Sequence, residues 1–475
     1  MSEKNHFYIT TTLPYVNSDP HIGHAVEMVR ADIVARYKRL IGEKVFFNTG
    51  TDEHGQKVYT KALSLRRDPK EYVDEYAERF KFLKEKLNLS YDSFIRTTDE
   101  KHIRAAEEFW KQCFDKGYIY KKKYKGLYCV SDELFVAEKD MINGRCPNHP
   151  DKELVTLEEE NYFFKFSAFQ EKLLDLYQKK PDFIIPSSRL KEIRTFVERG
   201  IEDFSISRLK EKMPWGIEVP GDPQHVMYVW FDALVNYIAA IGWPDDMGKF
   251  NTWWPVIQYA GKDNLRQQAA MWQAMLFSVG LPPSQRIVID GFVLSDGGRK
   301  MSKSVGNVVS PIDIVAQYGT DALRYYIARE LHPFEDSEFT EKKFEEAYNA
   351  NLANGLGNLV SRVMKLSEDY DVKILPYKVK TEPHMLKAMD TFKFNDAMEF
   401  IWQKVQSADR RMTKEEPFKV VKTDPVMGKA IIQTLVLEVR EIGIMLQPFM
   451  PETAKKIESL IKENRMPEKP LFPRI

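Results

Sequence analysis

Cysteine is scarce in this chain: Cys113, Cys129 and Cys146 are the only three in 475 residues. So few thiols argue against a disulfide framework and for a reducing compartment. Long apolar runs are missing too. None approaches the about 18 residues that a spanning helix needs. The amino-terminal MSEKNHFYITTT has no apolar stretch behind its charges, so a signal peptide is not expected. The expected location is cytoplasmic, with no membrane partner. Net charge is absent as well, with 70 basic and 70 acidic side chains. That balance gives no support to nucleic-acid binding, yet leaves room for a local basic face. There is no internal repeat and no low-complexity tract.

What is present is an ordinary globular composition, 43% hydrophobic and 29% charged. The length exceeds one compact core and predicts two or three domains. Residues Phe7 to Thr12 are β-branched or aromatic and predict a buried strand. A turn-rich stretch, Pro14 to Pro20, follows. Ile22, Val26, Val29, Ile33, Tyr37 and Leu40 then recur at helical spacing, with Pro20 expected near the first turn. The next strand is Lys44 to Phe47, leading to Thr49-Gly50-Thr51-Asp52. Strand, helix, strand predicts a parallel α/β sheet. Strand-like runs return at Met227 to Phe231, Pro255 to Tyr259 and Arg286 to Asp290, with Leu265 to Val279 helical between them. A mixed segment interrupts this sheet, and from about Glu341 the pattern is helical.

Two short motifs carry chemistry. Pro20-His21-Ile22-Gly23-His24 lies where a strand gives way to a helix. A helix start offers unpaired N–H groups and the positive end of a dipole, both suited to an anion. His21 and His24 are three apart and share one side, while Gly23 lets a ligand approach the backbone. The second motif is Lys300-Met301-Ser302-Lys303-Ser304, after the glycine turn Asp296-Gly297-Gly298-Arg299. Two lysines with two hydroxyls on a loop can follow charge as it builds on a polyphosphate. Each motif alone has a bland reading, as surface histidines or a solvated basic loop.

Together and in this order they resemble the HIGH and KMSKS signatures of the class I aminoacyl-tRNA synthetases. The resemblance extends over nearly the whole chain and is to the methionyl-tRNA synthetase family. It is carried by Thr11-Thr12-Leu13-Pro14-Tyr15-Val16-Asn17, Thr51-Asp52-Glu53-His54-Gly55, Tyr228-Val229-Trp230-Phe231-Asp232-Ala233-Leu234, Gly261-Lys262-Asp263 and the closing Leu471-Phe472-Pro473-Arg474-Ile475. It implies a Rossmann-like, doubly wound parallel sheet with an inserted connective, zinc-knuckle region, followed by an all-α anticodon-binding bundle. The implied divisions are 1–115 and 226–340 for the two halves of the catalytic domain, 116–225 for the insertion and 341–475 for the bundle.

The implied activity is methionine–tRNA ligation: methionine is activated with ATP and Mg²⁺, then passed to tRNA(Met). His21, His24, Lys300 and Lys303 would stabilise the transition state at the α-phosphate. Gly23, Gly261, Asp263, Val293 and Lys303 would hold ATP. Leu13, Tyr15, Trp230, Ala233, Tyr237, Gln268 and Trp272 would line the side-chain pocket, with Asp52 on the ammonium. Aromatic walls suit a polarizable thioether. Many family members carry an aromatic and a histidine where this chain has Gln267-Gln268.

Cys129-Val130-Ser131-Asp132 and Cys146-Pro147-Asn148-His149 make a Cys-x-x-Asp … Cys-x-x-His pattern, a possible tetrahedral Zn²⁺ set. One-zinc relatives place cysteine where this chain has Asp132. Cys113 has no partner at ligand spacing and is expected in the core. In the helical end, Asn358 and Arg362, with Asn354 on the same face, are candidates for anticodon bases, and Phe418 of Pro417-Phe418 stands where the family has a stacking tryptophan. The interval between the two signatures leaves no room for a large editing domain, which apolar pockets that separate neighbours by about 1–3 kcal/mol would require. No appended dimerisation domain is seen, so a monomer is expected. The alternatives are another short class I synthetase and a non-catalytic tRNA-binding paralogue; intact His21, His24, Lys300 and Lys303 speak against the latter.

Overall fold

The computed structural model describes residues 6–130, 134–136, 141–147, 150–301, 306–372 and 382–475. The chain divides into two compact units woven from separate segments. Unit 1 takes residues 1–19, 45–82 and 91–289; unit 2 takes 20–44, 83–90 and 290–475.

Unit 1 is built on a six-stranded sheet: β1 (His6–Thr11), β2 (Lys44–Thr51), β3 (Ser93–Arg96), β4 (Ile184–Ile185), β5 (Ile257–Gly261) and β6 (Arg286–Asp290), in the order β3-β2-β1-β5-β6-β4. β1 runs parallel to β5, β2 to β3 and β6 to β4. Ile9 lies opposite Ile257 and Thr11 opposite Tyr259. Strands buried on both faces read as continuous apolar runs, which is why β1 and β6 are visible in the sequence. The architecture is the expected Rossmann-like α/β class with a helical carboxy-terminal region. Strand order reverses beside β1, and ligands of such sheets gather beyond the carboxyl ends at that switch. Leu13 and Gly261 lie there, just past β1 and at the end of β5.

Three sequence expectations need correction in unit 1. The run Met227 to Phe231 is not one strand: Asp222–Met227 is a strand and Val229–Leu234 a helix. Aromatic and β-branched residues mark burial there, and Val229 and Phe231 are buried in the helix. β5 starts at Ile257, two residues later than Pro255 suggested. The helical stretch after Leu265 holds a π-helical segment, Gln267–Met271, before the α-helix Trp272–Val279. The interrupting segment holds a long antiparallel ribbon of Ile119–Cys129 against Val155–Phe164.

Unit 2 contains the helix Ile22–Leu40 and the chain from Asp290 onward. Ile22, Val26, Val29, Ile33 and Tyr37 are buried as the spacing predicts, but Leu40 is 41% exposed because the stripe ends before the helix does. Pro20 lies outside the helix; His21 is the cap. The helix packs on Thr320–Arg329. Long helices follow, including Asn358–Asp369, Phe394–Glu415, Pro425–Leu446 and Pro451–Glu463. Leu352, Leu356, Leu359 and Val363 are all fully buried, as one apolar face should be. Among the described residues, no helix is long and apolar enough to cross a membrane.

Candidate active site

In unit 1 the segment after β1 is laced to the end of β2. Asp52 N donates to Pro14 O at 2.9 Å, Val16 N donates to Asp52 O at 3.2 Å, and Tyr15 and Asp52 form a parallel bridge. These bonds set Tyr15 beside a carboxylate that is only 4% exposed. Lys57 Nζ lies 5.2 Å from the centre of the Tyr15 ring.

The next two residues are pinned by partners far away in sequence. Glu53 accepts a bidentate pair from Arg96, at 2.6 and 2.8 Å, and further bonds from Thr51 and Thr98. Its backbone N–H donates to Thr97 Oγ1 and its carbonyl accepts from Trp215 Nε1. His54 Nδ1 and His102 Nε2 donate to the two oxygens of Asp232, each at 2.7 Å. Burial works against ionisation of Asp232, yet the two imidazoles hold its carboxyl below the ordinary value. The loop that carries Asp52 is thus fixed on both sides by buried, charge-assisted bonds. Sequence reading singled out Asp52 alone; the roles of Glu53, His54, Arg96 and His102 rest on contacts between distant segments.

Four of the expected pocket side chains belong to or pack against one hydrophobic core. Tyr237 and Trp272 are buried with ring centres 5.9 Å apart, and Leu13 and Trp230 pack, partly buried, against the same cluster. Ala233 belongs to the short helix Val229–Leu234 and is half-buried. Gln268 is buried, and its Nε2 donates to Tyr237 Oη at 2.8 Å. Gln267 is half-buried at the start of the π-helical segment. Gly261 closes β5, and Asp263 is exposed in the 3₁₀ turn that follows.

In unit 2, His21 caps the helix Ile22–Leu40. Its Nδ1 accepts from Gly23 N at 3.1 Å, and His24 Nδ1 accepts from His21 N at 3.3 Å. The imidazoles stack, 3.8 Å between ring centres. Because each Nδ1 is an acceptor, each neutral ring carries its proton on Nε2. Gly23 is glycine for a reason beyond ligand approach: a Cβ there would lie 2.9 Å from His21 Cε1. The helix start is tied to later chain by Ile22 N donating to Val309 O at 3.0 Å. Deeper in the same helix, Arg30 pairs with Asp290 at 3.1 Å and also donates to Leu331 O and Pro333 O. Gly291 then passes so close to another segment that a Cβ would lie 2.1 Å from Glu335 O.

Val293, half-buried, opens the strand Val293–Ser295, which pairs with Arg299–Lys300. Lys300 is exposed, its Nζ 4.5 Å from the centre of the Phe292 ring. Asn307 Nδ2 bridges Ser295 Oγ and Lys300 O, closing the base of this loop. Lys303 lies outside the described residues.

A family model described as tRNA synthetases class I (M) matches residues 7–154 and 149–364. Methionine–tRNA ligase of Caldanaerobacter subterraneus subsp. tengcongensis is 40% identical over 472 residues, covering 96% of this chain and 73% of that protein. The Brucella suis methionine–tRNA ligase is 40% identical over 473 residues, covering 96% and 91%. The chain belongs to the methionyl-tRNA synthetases. Among solved structures, Mycobacterium tuberculosis methionyl-tRNA synthetase in complex with methionyl-adenylate matches with a TM-score of 0.91 at 34% identity, covering 99% of this chain and 100% of that one. The apo form of the same enzyme matches with a TM-score of 0.83 at 32% identity, covering 99% and 98%.

Elsewhere, Cys113 is in the core as expected; its Sγ lies 3.0 Å from Ser278 Oγ, and burial pushes the thiol up to about 12. Cys129 and Cys146 are buried and not in a disulfide. Cys129 ends a strand at a hairpin, opposite Leu134, and Cys146 follows the tight turn Ile142–Arg145. Asp132 and His149 fall outside the described residues. In the helical region Asn358 is exposed, and Phe418 is 39% exposed at the start of the helix Pro417–Thr423. Arg362 pairs with Asp409 at 2.9 Å, and Asn354 accepts from Arg474.

Proposed function

We propose that this chain binds L-methionine and ATP, forms methionyl-adenylate with release of diphosphate, and transfers the methionyl group to tRNA(Met). The observation that carries the catalytic assignment is the stacked His21–His24 pair, whose Nδ1 atoms are both spent on the helix cap. Two Nε2–H donors at a helix start suit phosphate oxygens, which need charge neutralisation rather than proton transfer. In the reaction a methionine carboxylate oxygen forms the new bond to the α-phosphorus, and the bond to the diphosphate oxygen breaks. Lys300 and Lys303 neutralise the leaving group, and the Mg²⁺ that travels with ATP shares that charge. Gly23, Gly261, Asp263 and Val293 contact ATP. Asp52 takes the substrate ammonium, and Leu13, Tyr15, Trp230, Ala233, Tyr237, Gln268 and Trp272 surround the thioether. The test is ATP–diphosphate exchange with single amino acids. Exchange that depends on methionine is expected; its absence overturns the reading. Higher kcat/KM for methionine than for norleucine is expected despite Gln267, and equal values would refute the pocket assignment.

Cys129 and Cys146, two buried cysteines outside any disulfide, suit a soft divalent ion, and with Asp132 and His149 they would hold one structural Zn²⁺. Purified protein is expected to carry about one zinc per chain; less than about a tenth after metal-replete purification would reject the site. On the helical region, Asn358, Arg362 and Phe418 meet the anticodon loop. Arg362 must give up Asp409 to do so. Phenylalanine offers a smaller stacking face than tryptophan, so anticodon binding is weaker than in tryptophan-bearing relatives. Phe418→Ala is expected to raise the tRNA KM about five- to tenfold, the lower end of base-stacking values. An unchanged KM would remove that role.

A further inference from the structure

We propose that Gln258, Ser284 and Gln273 are positioning residues for amino-acid selection, forming a one-way hydrogen-bond chain that holds the Tyr237 hydroxyl through Gln268. All four polar residues of the chain are buried, none more than 3% exposed. Its polarity is dictated from a fixed backbone end. Ser284 N–H can only donate, and it donates to Gln273 Oε1 at 3.0 Å. Gln273 Nε2 is then the donor to the carbonyl of Gln268 at 2.8 Å and to Ser284 Oγ at 3.1 Å. With its oxygen accepting there, Ser284 sends its hydroxyl proton to Gln258 Oε1 at 2.5 Å. Gln258 Nε2 must face the other way, and it donates to Gln268 Oε1 at 2.5 Å. Gln268 Nε2 completes the run on Tyr237 Oη at 2.8 Å.

Reversing Gln258 and Gln268 together would leave the buried Ser284 hydroxyl without its acceptor, which favours the sense described. Tyr237 Oη is therefore held as an acceptor towards Gln268, and its dipole keeps one sense. A polarizable sulfur responds to that dipole; a methylene in its place does not. None of the three positioning residues was visible as a pocket residue in the sequence. Gln258 and Gln268 are ten apart and Gln258 and Ser284 twenty-six apart, on different elements.

The inference rests on the reading of Tyr237 and Gln268 as pocket residues. It is tested by measuring kcat/KM for methionine and norleucine, and KM for ATP, in ATP–diphosphate exchange. Ser284→Ala and Gln258→Met interrupt the chain with little change of volume; Ser284→Thr retains the hydroxyl. The methionine-to-norleucine ratio is expected to fall about fivefold or more in the first two, with ATP KM within about twofold of the parent and the ratio kept in Ser284→Thr. A ratio unchanged in soluble Ser284→Ala, or an ATP KM rising in step with that of methionine, overturns the proposal. If Gln258→Met does not fold, Ser284→Ala decides alone. A parent chain without methionine-dependent exchange would instead refute the functional reading itself, so the two failures are distinguishable.

Discussion

Replacing His24 with alanine is expected to lower methionine-dependent ATP–diphosphate exchange by about 10²–10³-fold, the usual loss when one preorganised donor to a developing charge is removed. The loss should fall on kcat, with methionine KM nearly unchanged, because the imidazole is assigned to phosphate and not to the amino acid. The side chain's structural cost is small. At the helix start His24 Nδ1 accepts a long bond from His21 N, and His21 keeps its own cap on Gly23. A drop in kcat without loss of folded protein would support the electrostatic role. Full activity in His24→Ala would refute it.

Arg324→Met is expected to cost stability rather than chemistry, by about 3 kcal/mol, because a buried carboxylate loses one of its two arginine partners and keeps only Arg36 at 2.7 Å. Arg324 and Asp32 have no solvent exposure and lie 2.8 Å apart. Arg324 also donates to the carbonyls of Phe449, Leu87 and Pro448, so one guanidinium joins three segments of unit 2. Burial opposes ionisation of Asp32, but Arg324, Arg36 and Ser90 hold its carboxyl below the usual range. A carboxyl depressed in the folded state stabilises above its unfolded pKa, about 3.9, and that contribution fades as pH falls through the folded value. Without Arg324 the folded value rises, so the stability gap between the two proteins should be widest at neutral pH and narrow as pH falls. Urea midpoints at neutral pH and an acid titration of both proteins check the two parts. Equal midpoints would show that the pair contributes little net stability.

Local pattern made much of this molecule legible. β1 and β6, the helix Ile22–Leu40 and the buried face through Leu352, Leu356, Leu359 and Val363 are continuous segments whose burial follows one period. The helix Val229–Leu234 was misread because its composition signals burial without a period long enough to choose between strand and helix. The candidate site divides in the same way. The His21–His24 cap is set by near neighbours and Asp52 falls within a contiguous motif, so both are legible, although the bonds that fix Asp52 come from Pro14 and Val16. Glu53 with Arg96, Asp232 between two histidines and the glutamine chain to Tyr237 are pairings across 5 to 178 positions. A single sequence holds no record of which polar residues meet at such separations. Gln267 remains a departure from the family pattern whose effect only the norleucine comparison will measure.

The woven segments of the two units bear on how the chain is made. The helix Ile22–Leu40 emerges from the ribosome early, but Thr320–Arg329, which covers part of its apolar face, and Asp290, the counter-charge of Arg30, come almost three hundred residues later. Until then Ile22, Val26, Val29 and Ile33 have no native cover from that later segment, and Arg30 has no ion partner. At about 5–20 residues per second that interval lasts on the order of 15–60 seconds. A nascent chain paused before Asp290 is therefore expected to be a strong client for chaperones that shield apolar helices, whereas one that already includes Thr320–Arg329 is not.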